Sequence, residues 1–323
     1  MATIKEIAAR AGVSIGTVDR VLHDRGHVAP EKREEILRLV KELNYRPNAS
    51  AQGLIIARKK LRFAFFSLDP EAHPFFRELN AGAKKEAERL RQYGVEVEFY
   101  EDFEDRVLED PDSLKVDGVA MVPLPQFDGI RDWAIRNALP VVAVSTRMDG
   151  CTAFVGCDYR QAGRIAAGLT AMVAGGKGDV VIVSEGTEEI TSFYERVDGF
   201  RAELADRYPR MKADQTCFFI DHTVKLDLPK KRPAAFYLVN PGDYSICRTL
   251  QEHYQNPVPI ITNDRPEECR RLMEEGIIAA TVCQQPEQQG SLALTSLVDL
   301  ATGRREAAGD HYTELSIHIR QNI

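Results

Sequence analysis

Apolar residues recur along this chain at two different periods. Near the start, Ile4, Ile7, Ala8 and Ala11 fall at i, i+3, i+4 and i+7, the spacing of one helix face, and Thr3 followed by Glu6 has the form of a capping box. Gly12 ends that helix. Ser14 is placed to cap a second, whose inner face is Val18, Val21 and Leu22, so two short helices meet across Ala11-Gly12-Val13 in helix-turn-helix geometry. A third helix starts with Pro30 at its first position and turns Ile36, Leu39, Val40 and Leu43 inward before Asn44 and Pro47 break the pattern. A generic three-helix cap is the alternative reading of the same periodicity.

From Leu61 onward the pattern becomes short apolar runs separated by amphipathic stretches. Strands are expected at Phe63–Leu68, Val95–Tyr100, Gly118–Pro123, Val141–Ser145, Val180–Ser184, Phe218–Ile220, Ala235–Val239, Ile260–Thr262 and Ala279–Cys283. Helices expected between them include Phe75–Tyr93, Gln161–Ala174, Phe193–Tyr208 and Glu267–Glu275. This is the βαβ rhythm of parallel sheets covered on both faces, in which ligands bind beyond the carboxyl ends of the strands.

Composition adds a division along the chain. The net charge of −7 over 323 residues conceals 12 Lys+Arg against 7 Asp+Glu in residues 1–60, a surplus of +5, and 30 against 42 thereafter, or −12. A basic head on an acidic body is an asymmetry associated with nucleic-acid binding. The 44% hydrophobic and 28% charged content excludes fibrous or wholly disordered classes. No run approaches the roughly 18–20 apolar residues of a membrane span, and the N-terminus lacks a signal-peptide pattern, so a cytoplasmic protein without membrane partner is expected. Cys151, Cys157, Cys217, Cys247, Cys269 and Cys283 show no metal-ligand spacing and are expected to be reduced, mostly buried thiols. The cluster Gly175-Gly176-Lys177-Gly178 fits neither dinucleotide nor P-loop spacing, and neither H-E-x-x-H nor G-x-S-x-G occurs. No catalytic residue, metal or cofactor is therefore expected.

The string TIKEIAARAGVSIGTVDRVLHDRGHVAPEKREEILRLVKELNYRPNASAQGL, residues 3–54, closely resembles the DNA-binding head of the LacI/GalR family of bacterial transcription regulators. The resemblance implies a second helix in the major groove of double-stranded operator DNA, with Ile15, Gly16 and Arg20 facing base edges and Ser14, Thr17 and Asn48 near phosphates. Physically, Arg20 can donate two hydrogen bonds to guanine O6 and N7, Ile15 can pack on a thymine methyl, and Gly16 lets backbone approach. Asp19 stands where Ser is common in the family, a departure that sets a carboxylate near the phosphates. Residues 47–60 read as a tether on their own. The family implies a hinge helix, formed when two subunits meet on DNA, whose leucine, here Leu54, wedges into the minor groove.

The α/β body resembles the same family's two-lobed, periplasmic-binding-protein-like domain. The expected organisation is thus a small all-α helix-turn-helix head (1–46), a hinge (47–60) and a body of two Rossmann-like lobes (61–323) that binds an effector and dimerises. The resemblance implies effector contacts at His73, Phe75 and Phe76 in HPFF, at Asp158 and Arg196, and at Asn240, Asp264 and Gln284, each just past an expected strand. Planar amides, carboxylates and an arginine fork around an aromatic platform suit hydroxyls that both donate and accept. Helix starts, core phenylalanines and surface ion pairs are the competing readings. Ser145-Thr146-Arg147 replaces the Asp-Arg of many sugar-binding relatives, so Ser145 and Arg147 join the candidates, and Pro241-Gly242-Asp243-Tyr244 rewrites the usual helix after Asn240. A carbohydrate or derivative is the expected effector, with anionic and nucleobase ligands open. The expected function is a homodimeric, effector-controlled regulator; the alternative is a cytoplasmic ligand-sensing or ligand-processing protein whose head binds a protein partner.

Overall fold

Continuous apolar strands set the architecture. Val141–Ser145 and Ala235–Val239 are buried at every position, as strands in parallel sheets covered on both faces must be. The computed structural model of the protein describes residues 4–22, 28–43, 56, 59–69, 71, 73–101, 106–185, 191–219, 228–304 and 309–323.

The head consists of α1 (Ile4–Ala11), α2 (Ile15–Leu22) and α3 (Pro30–Glu42). Its core gathers Ile7, Ala8, Ala11, Val18, Val21, Ile36 and Leu39, the faces that helical periodicity selects. Gly12 at φ +63° makes the turn between α1 and α2. Ser14 caps α2, its Oγ accepting from Thr17 N at 3.1 Å, and Lys32 Nζ donates to the Ala11 carbonyl at 2.9 Å, closing α3 onto the end of α1. Thr3 and most of the expected hinge, including Asn48 and Leu54, lie outside the described residues. Ile56 packs into the core below the hinge.

The first lobe contains β1 (Arg62–Phe66), α4 (Pro74–Arg91), β2 (Glu96–Tyr100), α5 (Arg106–Glu109), β3 (Gly118–Met121), α6 (Asp128–Arg136), β4 (Val141–Ser145) and β5 (Ala153–Gly156). The chain then enters the second lobe with α7 (Tyr159–Ala174), β6 (Gly178–Glu185), α8 (Thr191–Arg207), β7 (Met211–Phe219), β8 (Ala235–Val239), α9 (Ile246–Glu252), β9 (Ile260–Asn263), α10 (Glu267–Glu274) and β10 (Ile278–Cys283). It returns to the first lobe for α11 (Pro286–Ala301) and β11 (His311–Tyr312), and ends in the second with β12 (Ser316–Ile319). Strand order is β11-β5-β4-β3-β1-β2 in one sheet and β12-β10-β9-β8-β6-β7 in the other. Neighbours are parallel except β10 and β12. Helices cover both faces, giving each lobe two apolar layers.

The chain thus passes between lobes three times, and the passages are bonded together. Thr313 N donates to the Gly156 carbonyl at 2.7 Å, the Thr313 hydroxyl to the Gln284 carbonyl at 2.8 Å, and Gln289 Nε2 to that same carbonyl at 2.9 Å.

Glycines join the helices that flank the cleft. A Cβ on Gly163 of α7 would lie 2.0 Å from the Arg196 carbonyl oxygen of α8, and one on Gly199 would lie 2.0 Å from the Arg160 carbonyl oxygen. In the first lobe Gly82 of α4 and Gly290 of α11 stand in the same relation to Glu287 and Leu79, at 1.9 and 2.1 Å. Each helix pair therefore packs backbone against backbone.

Three features of these elements have local causes. The strand expected at Phe218–Ile220 is the end of β7, which starts at Met211; its alternating buried and exposed residues mark an edge strand. The helix after Asn240 is delayed to Ile246, because the intervening loop is fixed by Glu185, which accepts from Gly242 N and from Asp243 N at 3.0 Å. Asp158 and His73 serve as helix N-caps, accepting from Gln161 N at 2.8 Å and Phe75 N at 3.1 Å.

Candidate functional site

Two places in the chain gather the sequence-selected residues. On the head, the capped start of α2 leaves Ile15, Gly16 and Arg20 exposed while Val18 and Val21 are fully buried, and Thr17 is half-buried against Ser14, the hydroxyls 2.9 Å apart. Ile15 is 43% exposed, an apolar side chain held at the surface beside a glycine and an arginine. Ile15 and Gly16 stand in the first turn of α2 and Arg20 in its last, so one exposed face of the helix carries all three.

Between the lobes, a cavity of about 370 Å³ is bounded by the strand-end loops of both sheets. His73, Phe75, Phe76, Ser145, Arg196, Asn240, Asp264 and Gln284 all line it. Ser145, Asn240, Asp264 and Gln285 take positive φ (70°, 49°, 61° and 59°), so four strand ends turn sharply into or beside the cavity.

Arg196 organises the second-lobe wall. It is 2% exposed, its guanidinium lies 4.5 Å from the Tyr159 ring centroid, and Nη1 donates to Asn240 Oδ1. Asn240 Nδ2 donates in turn to Ser192 Oγ at 3.0 Å. Among the described residues, the Arg196 Nε is buried without a hydrogen-bond partner. Across the cleft, Ser145 Oγ and the Tyr159 hydroxyl are 2.6 Å apart, and burial pushes the Tyr159 phenol up. Asp264 accepts from Gln284 Nε2 at 2.9 Å, and the Cys157 thiol, raised to about 12 by burial, reaches Gln284 Oε1 at 3.4 Å.

Burial lowers the His73 pKa, against the pull of Asp264 and Glu185, while Nδ1 accepts from Phe75 N and the ring hydrogen-bonds the Asn240 backbone. The site thus offers an arginine, two carboxylates and amides beside Phe75 and Phe76, whose rings meet edge-on at 84°.

Arg147 and Asp158 are placed elsewhere. Arg147 pairs with Asp310 and lies 5.1 Å over the Phe154 ring; it and the exposed Asp158 line an adjoining cavity of about 420 Å³. The sequence reading missed Tyr159, Glu185 and Ser192. Glu185 ends β6, and the strand-end rule that selects Asn240 and Asp264 selects it too.

Residues 3–48 match the family model for bacterial regulatory proteins of the lacI family, and residues 63–305 match a periplasmic binding protein domain. The ribose operon repressor of Lactococcus lactis is 43% identical over 97 residues, covering 30% of this chain and 28% of the relative. The ribose operon repressor of Bacillus subtilis is 32% identical over 153 residues, 46% of this chain and 45% of the relative. The chain spans 61% of catabolite control protein A of Priestia megaterium, at 27% identity over 63% of this chain. It therefore matches less than two thirds of the length of these relatives. Among solved structures, GanP, a glucose-galactose binding protein from Geobacillus stearothermophilus, shares the fold at TM-score 0.65 and 22% identity, covering 81% of this chain and 98% of that one. Head, lobes and family models agree that the chain belongs to the lacI family of bacterial regulatory proteins, with a periplasmic-binding-protein domain as its body.

Proposed function

We propose that the protein is a cytoplasmic, homodimeric transcription regulator whose affinity for operator DNA is set by a small-molecule effector, a carbohydrate or derivative, and that it catalyses no reaction. The observation that carries this reading is the outer face of α2, where Ile15 and Gly16 in its first turn and Arg20 in its last face outward from a capped and packed three-helix core. Arg20 reads a guanine edge, Ile15 packs on a thymine methyl, and Ser14, Thr17 and Asn48 approach phosphates. Leu54 of each subunit wedges into the minor groove. The effector occupies the interlobe cavity against His73, Phe75, Phe76, Ser145, Arg196, Asn240, Asp264 and Gln284, with Arg147 and Asp158 at its outer side. The names of the ribose operon repressors support the choice of carbohydrate.

A physical route leads from the effector cavity to Lys59, at the body end of the expected hinge. Helix α11 starts one residue after Gln285, at the cavity, and ends at Ala301, whose carbonyl accepts from Lys59 Nζ on the segment leading to the head. Closure of the lobes on the effector shifts α11 and with it the anchorage of the hinge. A coupling of roughly 1–3 kcal/mol changes operator affinity about 5–150-fold.

The test is selection of bound duplexes from a random pool by the purified full-length protein, with salt raised to strip phosphate-only binding. An enriched inverted repeat is expected. If no sequence is enriched with or without sugars, the DNA-binding reading fails and the head is better tested against protein partners.

A further inference from the structure

The interlobe cavity is chemically two-sided, and the division follows the lobes. Among the described residues, the first-lobe wall is Leu68, Pro74, Phe75, Phe76 and Leu124, with His73 and Ser145 as its polar members. Both of those are already engaged: His73 accepts from Phe75 N and bonds the Asn240 backbone, and Ser145 shares a 2.6 Å hydrogen bond with Tyr159. The Arg147 side chain, which follows the same strand end, is drawn off to Asp310 and Phe154. The second-lobe wall carries most of the polar groups: Glu185, Ser192, Arg196, Asn240, Asp264 and Gln284, set beside Tyr159, Pro241, Tyr244 and Pro266.

A fully hydroxylated sugar carries donors and acceptors around its whole rim. Lodged here, the hydroxyls facing Leu68, Phe75, Phe76 and Leu124 would lose water and gain nothing, at a cost of roughly tenfold in affinity for each one left unpaired. Hydroxyls facing the second lobe meet the reverse situation, since the Asp264 carboxylate keeps acceptor sites beyond its bonds from Gln284. The geometry points to an effector whose polar groups lie on one edge and whose other side is apolar: a deoxy sugar or a sugar bearing an aryl or alkyl substituent. This inference rests on the carbohydrate reading above. The polar edge seats against Arg196, Asn240 and Asp264, and the apolar side seats against the phenylalanines.

Calorimetric titration of the full-length protein with matched pairs tests it: D-galactose against 6-deoxy-D-galactose, L-mannose against L-rhamnose, and D-glucose against phenyl β-D-glucoside. The expected result is at least one pair in which the less polar member binds tenfold or more tightly. If sugars bind and the fully hydroxylated member equals or exceeds its partner in every pair, the inference is overturned while the carbohydrate reading stands. If no member of any pair binds, both fall. A Leu68→Asn variant, checked by its melting temperature, places a hydrogen-bonding group on the apolar wall and should cut the preference at least threefold. An unchanged ratio in a folded variant removes this wall from the contact and overturns the inference.

Discussion

Gly163 offers a direct probe of how the cleft is built. Replacing it with alanine sets a methyl group 2.0 Å from the Arg196 carbonyl oxygen, 2.8 Å from its carbon and 2.9 Å from Phe200 N. All three are backbone atoms, so no rotamer change relieves the overlap. Comfortable contact needs roughly 3.5 Å, and α8 must therefore retreat by about 1.5 Å, carrying Arg196 away from Tyr159 and Asn240. Overpacking of this kind costs roughly 1–3 kcal/mol, and rigid backbone places Gly163→Ala at the upper end, about 3 kcal/mol, or roughly 6–12 °C in melting temperature. Gly168 is the internal control. It lies in the same helix, and a methyl there meets only the Tyr208 hydroxyl at 3.9 Å. Gly168→Ala should gain roughly 0.5–1 kcal/mol by restricting the unfolded chain. Denaturant and thermal unfolding followed by circular dichroism measure both. A Gly163→Ala protein within about 0.5 kcal/mol of the parent would refute the backbone-contact argument.

Arg20→Ala should cost roughly 1–3 kcal/mol on a selected operator and relax preference at one base pair; an unaltered base preference removes Arg20 as a reader. Tyr159→Phe strands the buried Ser145 hydroxyl and should cost roughly 1–3 kcal/mol in unfolding free energy, most of it recovered when Ser145→Ala is added, and a fully additive double mutant would deny the pair. Burial, reinforced by the Asp264 charge, raises the Glu78 carboxyl from 4.5 to about 6. The folded chain therefore holds that proton more tightly, and its contribution to stability is full below 4.5 and lost as pH rises through 6. Glu78→Gln should accordingly gain on the parent between pH 5 and 7, by at most about 2 kcal/mol and less where solvent screens the group. A stability difference that stays flat with pH contradicts the shift.

The parts visible in the sequence were those with a strong period. Ile7, Ala8 and Ala11 on α1 and Val18 and Val21 on α2 could belong only to one inward face, and the all-apolar runs of β4 and β8 could only be interior strands. Three strands were not among those expected: β5 and β11 span four and two residues, and β12 alternates without a fully buried position. Helix α11 was also passed over, because it is embedded against both α4 and the sheet and lacks the polar face that marks a surface helix. At the site, the strand-end rule found Asn240 and Asp264. It had no means of telling that Asp158 spends its carboxylate on capping a helix, since a cap and a ligand contact use the same residue types at the same place. The glycine contacts were equally silent, because Gly163 and Gly168 look alike until α8 is seen lying against one of them.

The proposed regulation requires operator and effector sites to be coupled through one chain. Operator affinity should be measured with and without saturating effector, and effector affinity with and without operator. The same factor is expected in both directions, between about 5 and 150, as linkage requires. An operator affinity that no bound effector changes would contradict it.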